Sequence, residues 1–274
     1  MSGKIFVVGT PIGNLEDFSP RGARILREAD FIAAEDTRVT AKLLNHFGIK
    51  KETVSYYEHN KAQKGEYLIR RVLAGENLAI VSDAGMPAIS DPGEDLVRAA
   101  HEAGITVESV PGPSALTSAL SLSGFPTGRF CFEGFLSVNR ISRMKHLEEI
   151  KGETRTLVFY EAPHKLIKTL ADMRDALGER EICIVKEITK IHESVRFFNF
   201  TSALDYYAEN PPRGEYVLIV RGKEKEEAAP DMTPQAAVAF AKKLMADGMS
   251  ASSAAKEAAA KSGIKKGEIY KSIV

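Results

Sequence analysis

The side chains with chemical potential in this chain are carboxylates, cations and hydroxyls gathered where short apolar runs end. The densest gathering is Val81-Ser-Asp-Ala-Gly-Met-Pro-Ala-Ile-Ser-Asp-Pro-Gly93. Asp83 and Asp91 offer acceptors for hydroxyls or an amine, Gly85 and Gly93 let backbone approach a ligand closely, and Pro87 and Pro92 stiffen the loop. An ordinary turn in which Asp-Pro-Gly merely starts a helix uses the same residue types. Pro111-Gly-Pro-Ser114 adds a second loop, whose Ser114 and following free helix amides form a donor cluster beside the first loop if the two strands are neighbours. Charged strand ends complete the set: Glu35-Asp-Thr-Arg38, Glu58-His-Asn60, Glu161-Ala-Pro-His164 and Lys186-Glu187. Each can serve acid–base chemistry or anion positioning, and each can equally cap a helix or hold a loop by an ion pair.

Such residues need elements that deliver them to one place. Apolar runs at residues 4–8, 30–34, 53–57, 78–81 and 106–110 read as strands, and helical patterns separate them, closing with a helix at 115–122. Strict alternation argues for a mostly parallel sheet with helices on both faces, whose ligands sit at the carboxyl ends of the strands. Gly9-Thr-Pro-Ile-Gly-Asn14 is a further loop at such an end, but without the GxGxxG spacing of a dinucleotide fingerprint. Ser123-Gly-Phe-Pro-Thr-Gly128 interrupts the pattern, so a first α/β domain is placed at 1–122 and a second at 123–224. The second carries strands at 130–135, 156–160 and 181–185 and a helix with the core stripe Leu166, Ile167, Leu170, Met173 and Leu177. Residues 197–200 and 216–220 are expected to pair antiparallel, because only a short helix and a Pro-Pro turn separate them. Between 137 and 156, Arg140, Arg143, Lys145, Lys151 and Arg155 alternate with Glu148, Glu149 and Glu153, as on a solvated helix face or a phosphate contact. A charged linker at 223–230 leads to a small helical region at 231–274. Its short helices, joined at Gly248 and Gly263 with a basic end, suit either a helix-turn-helix unit or a packing appendage.

Composition bounds the partners. With 274 residues, 44% of them apolar, the chain can bury two cores, and Lys plus Arg equals Asp plus Glu at 37 each. Binding to nucleic acid would therefore require local concentration of cations. Cys131 and Cys183 lie in apolar runs with neither disulfide nor metal spacing, and neither a signal-peptide pattern nor a membrane-length apolar run is present. A cytoplasmic protein with no membrane partner and no metal is the expectation.

With these residues in view, the chain resembles the tetrapyrrole methylase superfamily of S-adenosylmethionine enzymes, and within it the group that methylates the ribose 2′-oxygen of a cytidine in 16S ribosomal RNA. The resemblance rests on Gly9-Thr-Pro-Ile-Gly-Asn-Leu-Glu-Asp17, Ala34-Glu-Asp-Thr-Arg38, Glu58-His-Asn60, the 81–93 loop, Pro111-Gly-Pro-Ser-Ala115, Phe132-Glu-Gly-Phe135, Phe159-Tyr-Glu-Ala-Pro-His164 and Glu187-Ile-Thr-Lys190. These motifs occur in the group's order and span roughly residues 4 to 222. The resemblance implies two α/β domains of the tetrapyrrole methylase type with the cofactor cleft between them, plus a small C-terminal helical region. It implies a homodimer that acts on 16S rRNA or the small ribosomal subunit. S-adenosylmethionine would be held by Pro11, Asp83, Ala84, Gly85, Ile89, Ser114, Ala115 and Ala162. Methyl transfer to a hydroxyl is an in-line displacement that profits from positioning and from a proton acceptor, and the sulfonium leaving group needs no metal. Glu161 or Glu187 is the expected acceptor, with Arg38, Lys186 or Lys190 positioning phosphate or ribose. Two other readings stay open: a methylase of a tetrapyrrole or another small molecule, and an RNA-binding module without catalysis.

Overall fold

A computed structural model describes residues 2–224 and 232–274 of the chain. From residue 225 onward, the linker expected at 223–230 lies outside the described residues. Residues 1–223 cluster as one compact unit and residues 224–274 as another.

The first sheet contains β1 (Lys4–Val8), β2 (Phe31–Ala34), β3 (Glu52–Ser55), β4 (Leu78–Val81) and β5 (Thr106–Val110) in the order β3-β2-β4-β1-β5, with every pairing parallel. Helices α1 (Pro20–Glu28), α2 (Thr37–His46), α3 (Lys61–Leu73), α4 (Gly93–Glu102) and α5 (Ala115–Leu122) follow the strands. Side chains of β2 alternate between two cores: Ile32 and Ala34 pack with α1 and α2, while Phe31 and Ala33 pack with α3 and α4. Strands covered on both faces are buried at every position, which is why β2 and β4 read as continuous apolar runs. Helix starts are set locally. Ser19 accepts the Gly22 amide ahead of Pro20, and Asp36 accepts the Arg38 amide at the start of α2.

The second sheet contains β6 (Phe130–Phe135), β7 (Thr156–Glu161), β8 (Glu181–Lys186), β9 (Ser194–Asn199) and β10 (Tyr216–Val220) in the order β6-β7-β10-β8-β9. Only β6 and β7 pair parallel; the remaining pairings are antiparallel. The expected pairing of the last two strands does not form. β10 inserts between β7 and β8, and β9 pairs with β8 at the edge. Burial overrides the short connection: all five residues of β10 are buried, whereas Phe197 of β9 is 59% exposed.

Helices α6 (Arg140–Glu149), α7 (Leu166–Leu177) and α8 (Phe200–Glu209) cover one face through Leu147, Leu170, Met173 and Phe200. The other face, with Val158, Cys183, Val185 and Val217, packs against Ala119 and Leu120 of α5 and Ile12 of the loop after β1. That shared core fixes the distance between the two sheets. The basic segment at 137–156 is largely neutralised from within, and Arg143 is not free to meet a phosphate. It is buried, and its guanidinium meets the equally buried Asp172 at 2.6 Å. Arg155 pairs with Glu153, and Lys151 with Glu148.

The unit at 224–274 contains α9 (Pro234–Ala246), α10 (Ala251–Ser262) and α11 (Lys266–Ile273) around Ala237, Ala241, Ala254, Ala255, Ala258 and Ile269. Among the described residues no helix is long and apolar enough to cross a membrane.

Candidate active site

A cavity of about 430 Å3 opens between the two sheets, within the roughly 300–1,000 Å3 typical of small-molecule sites. The first half contributes Ile12, Glu35, residues 82–86, residues 89–91, Ser114 and Ala115. The second contributes Phe135, Tyr160, residues 161–163, Ile188 and residues 215–217. All the contributions of the first half come from the carboxyl ends of its parallel strands or from the loops and helix start that follow them, as the topology requires.

Close backbone packing shapes the first wall. The loops after β1 and β5 cross where Gly9 faces Gly112, and a Cβ on Gly112 would lie 2.7 Å from the Gly9 carbonyl oxygen. Only glycine allows that approach. The loop after β1 also pairs with the loop after β4: the Thr10 amide donates to the Gly85 carbonyl at 2.9 Å and the Gly85 amide to the Thr10 carbonyl at 3.2 Å. Gly85 takes φ of 86° there, while Ala88 and Ser90 adopt positive φ of 65° and 63° with side chains that disfavour it. Asp91 holds the strained turn by accepting the amides of Ala88 (2.9 Å) and Gly93 (2.7 Å).

β1 lies between β4 and β5, so the adjacency on which a donor cluster beside the 81–93 loop depended is not met. Ser114 and Ala115 still reach the cavity, but the Leu116 amide of α5 is taken by the Tyr160 hydroxyl of the second half at 3.1 Å. Burial raises the Tyr160 pKa and keeps the phenol protonated for that contact.

Five carboxylates face the cavity, and among the described residues no Lys, Arg or His lines it. Glu161, 2% exposed, accepts from the Ala162 amide (2.8 Å), the Thr169 hydroxyl (2.5 Å) and the Lys165 ammonium (2.9 Å). Glu215 pairs with Lys190 at 2.8 Å, and Asp91 is spent on its turn. Among the described residues Glu35 and Asp83 form no ion pair. Burial, then their mutual proximity, raises the Glu35 pKa; burial raises Asp83 against the opposing Asp36 amide, which donates to it at 3.0 Å.

Of the residues expected to bind cofactor, Asp83, Ala84, Gly85, Ile89, Ser114, Ala115 and Ala162 line the cavity together; Pro11 does not, though its neighbour Ile12 does. Of the expected catalytic residues only Glu161 lines it, with its oxygens engaged as a loop anchor. Glu187 lies outside the lining. Its φ is 54°, and its Oε1 accepts from Lys190 and the Glu215 amide, both at 2.9 Å. Burial alone would raise its pKa, but those donors outweigh it and hold the carboxyl below its ordinary range. Arg38 points to solvent, 87% exposed, and clasps Asp36 at 2.6 Å, which holds that carboxyl down at about 2. Lys186 borders a different cavity, beside β9 and α8. Sequence reasoning passed over Glu35 as a cavity acid, although it stands at the end of β2 in the motif that supplied Arg38. It also passed over Met86, Phe135, Tyr160 and Ile188, apolar or aromatic residues without polar spacing to mark them.

A doubly wound parallel sheet thus faces a mixed sheet across a ligand-sized cleft, the architecture of a two-part α/β ligand-binding protein. Residues 4–203 match the tetrapyrrole (corrin/porphyrin) methylase family, and the chain belongs to that family. Its relatives include proteins named ribosomal RNA small subunit methyltransferase I. The one from Synechocystis is 42% identical over 98% of this chain and 96% of its own length, and that from Thermotoga maritima is 46% identical over 81% of this chain and 100% of its own. Solved structures share the fold. Uroporphyrin-III-C-methyltransferase from Thermus thermophilus has a TM-score of 0.57 at 22% identity, covering 80% of this chain and 94% of that one. Diphthine synthase has 0.62 at 16%, covering 81% and 90%. Membership implies S-adenosylmethionine as methyl donor.

Proposed function

We propose that this chain is a cytoplasmic enzyme that transfers the methyl group of S-adenosylmethionine to the ribose 2′-hydroxyl of a cytidine in 16S rRNA. The observation that supports this reading of the donor's site is a pair of acids, half-buried Glu35 and exposed Asp83, in a cavity wall that holds no cation among the described residues. Partial desolvation raises both pKa values and the Asp83 charge raises Glu35 further; backbone amides and the Arg38 charge offset only part of this, so a cationic ligand would relieve the remaining cost. When bound, S-adenosylmethionine supplies a methyl carried on a positive sulfur that departs as a neutral thioether. The residues fit such a ligand: acids for its charge, Ile12, Ile89, Phe135 and Val217 for its apolar surface, and backbone at the exposed Asp83 and Ala84 for its polar edges.

The chain's own work is alignment and exclusion of water. The Gly9–Gly112 crossing and the Asp91 turn hold one wall rigid, and the Glu161 anchor fixes residues 161–163 of the other. The hydroxyl proton needs an acceptor, and Glu35 is the wall carboxylate whose proton affinity burial and Asp83 raise. Glu161 and Glu187, the acceptors expected from sequence, are engaged by internal donors. The 2′-hydroxyl as nucleophile separates RNA from DNA chemically. Relatives covering nearly the whole chain bear an rRNA methyltransferase name, which favours RNA over a tetrapyrrole.

Tritiated S-adenosylmethionine incubated with small subunits lacking the modification, followed by nuclease mapping, is expected to place label on one ribose. Label on a base, on a tetrapyrrole or nowhere rejects the reading. Light scattering on the same preparation reads the homodimer that belongs to this proposal.

A further inference from the structure

A second cavity, about 320 Å3, lies in the second half, between the end of β8, β9, α8 and the turn before β10. Its lining brings together Lys186, Arg196 and Arg213 with Tyr206, Tyr207 and Tyr216. The charge there is unlike that of most of the molecule. Arg71, Arg143, Arg155, Lys165 and Lys190 all meet carboxylates, whereas among the described residues Lys186, Arg196 and Arg213 form no ion pair, and one carboxylate, Glu209, shares the lining. Three like charges around one hollow repel one another until an anion enters.

The cations are also held in place. The Arg196 guanidinium stacks over the Tyr206 ring at 4.8 Å, and the Arg213 amide donates to the Tyr216 hydroxyl at 3.1 Å, fixing the turn that carries Arg213. Burial raises the Tyr207 and Tyr216 pKa values, so both phenols keep their protons. Tyr216 borders both this cavity and the one between the sheets.

We propose that this cavity is a phosphate site for the RNA strand: Lys186, Arg196 and Arg213 seat a backbone phosphodiester of a nucleotide flanking the one methylated next door. The assignment rests on the RNA reading above and deepens it. A planar guanidinium already stacked on an aromatic ring loses little freedom when it grips a phosphate, and a neighbouring site one residue away keeps the strand in register with the reacting ribose.

Fluorescence anisotropy of a labelled single-stranded RNA, titrated over a range of KCl concentrations, tests it with wild type, Arg196→Gln, Arg213→Gln and the double variant. Both arginines are exposed, and calorimetric S-adenosylmethionine affinity reports on folding of each variant. The double variant is expected to bind RNA about tenfold more weakly, the order of a lost charge-assisted contact, with the salt slope reduced by roughly 0.7 per phosphate released. Its S-adenosylmethionine affinity is expected to be unchanged, and Arg213→Lys is expected to recover part of the RNA affinity. A folded double variant with wild-type RNA affinity and slope overturns the assignment while leaving wild-type methylation of RNA standing. If inorganic phosphate competes for the site yet RNA affinity is indifferent to the arginines, the cavity serves a free phosphate and the assignment also falls. Wild type that methylates no RNA removes the reading and the site together.

Discussion

The two cavities of the α/β unit share a border at Tyr216 and carry opposite charge. The cavity between the sheets presents five carboxylates and no cation among the described residues, two of the acids, half-buried Glu35 and exposed Asp83, standing without an ion pair. The cavity beside α8 presents three unpaired cations and one carboxylate. A chain with 37 basic and 37 acidic residues thus segregates its charge over a short distance, so that net neutrality conceals two complementary fields. Acids suit a sulfonium donor, and cations suit a polyanionic acceptor strand. The construction differs as well: the first is built from strained turns and glycine crossings, the second from tyrosines and a stacked guanidinium.

The contrast can be broken at its most rigid point. Gly112→Val would push a side chain into the Gly9 backbone and part the loops after β1 and β5. Calorimetry is expected to show S-adenosylmethionine affinity down about a hundredfold, the upper range of overpacking costs, with RNA affinity within about twofold. Asp83→Asn removes one of the two unpaired acids and is expected to weaken the donor about 10- to 100-fold in the same titration, with the free protein at least as stable as wild type in thermal melts.

pH sharpens the comparison further. Raised carboxyl pKa values mean that the folded protein binds these protons more tightly than the unfolded chain. The resulting cost is fully present above the raised values and disappears as pH falls through them towards the unfolded values. A bound cation favours the carboxylates, so S-adenosylmethionine affinity is expected to fall with pH across that window, by up to about tenfold per unit for each proton, and Glu35→Gln should flatten the profile. The smallest effect is expected at Arg38, which lies outside both cavities and grips only Asp36. Arg38→Gln should change donor affinity, read by calorimetry, and kcat by less than about twofold.

Sequence reading went far with this chain where signals are local. Apolar runs placed nine of the ten strands within one or two residues, with β9 begun three residues late; the signal is plainest in β2 and β4, parallel strands buried at every position, which need continuous apolar segments. Ser19-Pro20 and Thr233-Pro234 marked helix starts through caps that depend only on neighbours. The 81–93 loop was legible for the same reason: positive φ at residue 85 favours Gly, and accepting two backbone amides calls for the aspartate at 91. Where partners come from distant segments, the reading failed. Arg143 looked like a surface cation until α7 brought Asp172 against it. Glu161 looked like a free base until Thr169 and Lys165 folded back over it.

By itself, then, the order of residues determined the alternating first half, the loops at its strand ends and the family to which the chain belongs, since each is written in contiguous stretches. Tertiary structure alone decided that β10 enters the middle of its sheet, that Glu35 and Asp83 face a cavity lined by no cation among the described residues, and that Lys186 joins Arg196 and Arg213 around a hollow of their own. The reason is physical: burial and Coulomb energies depend on which distant groups arrive within a few ångströms, and spacing along the chain does not encode that distance.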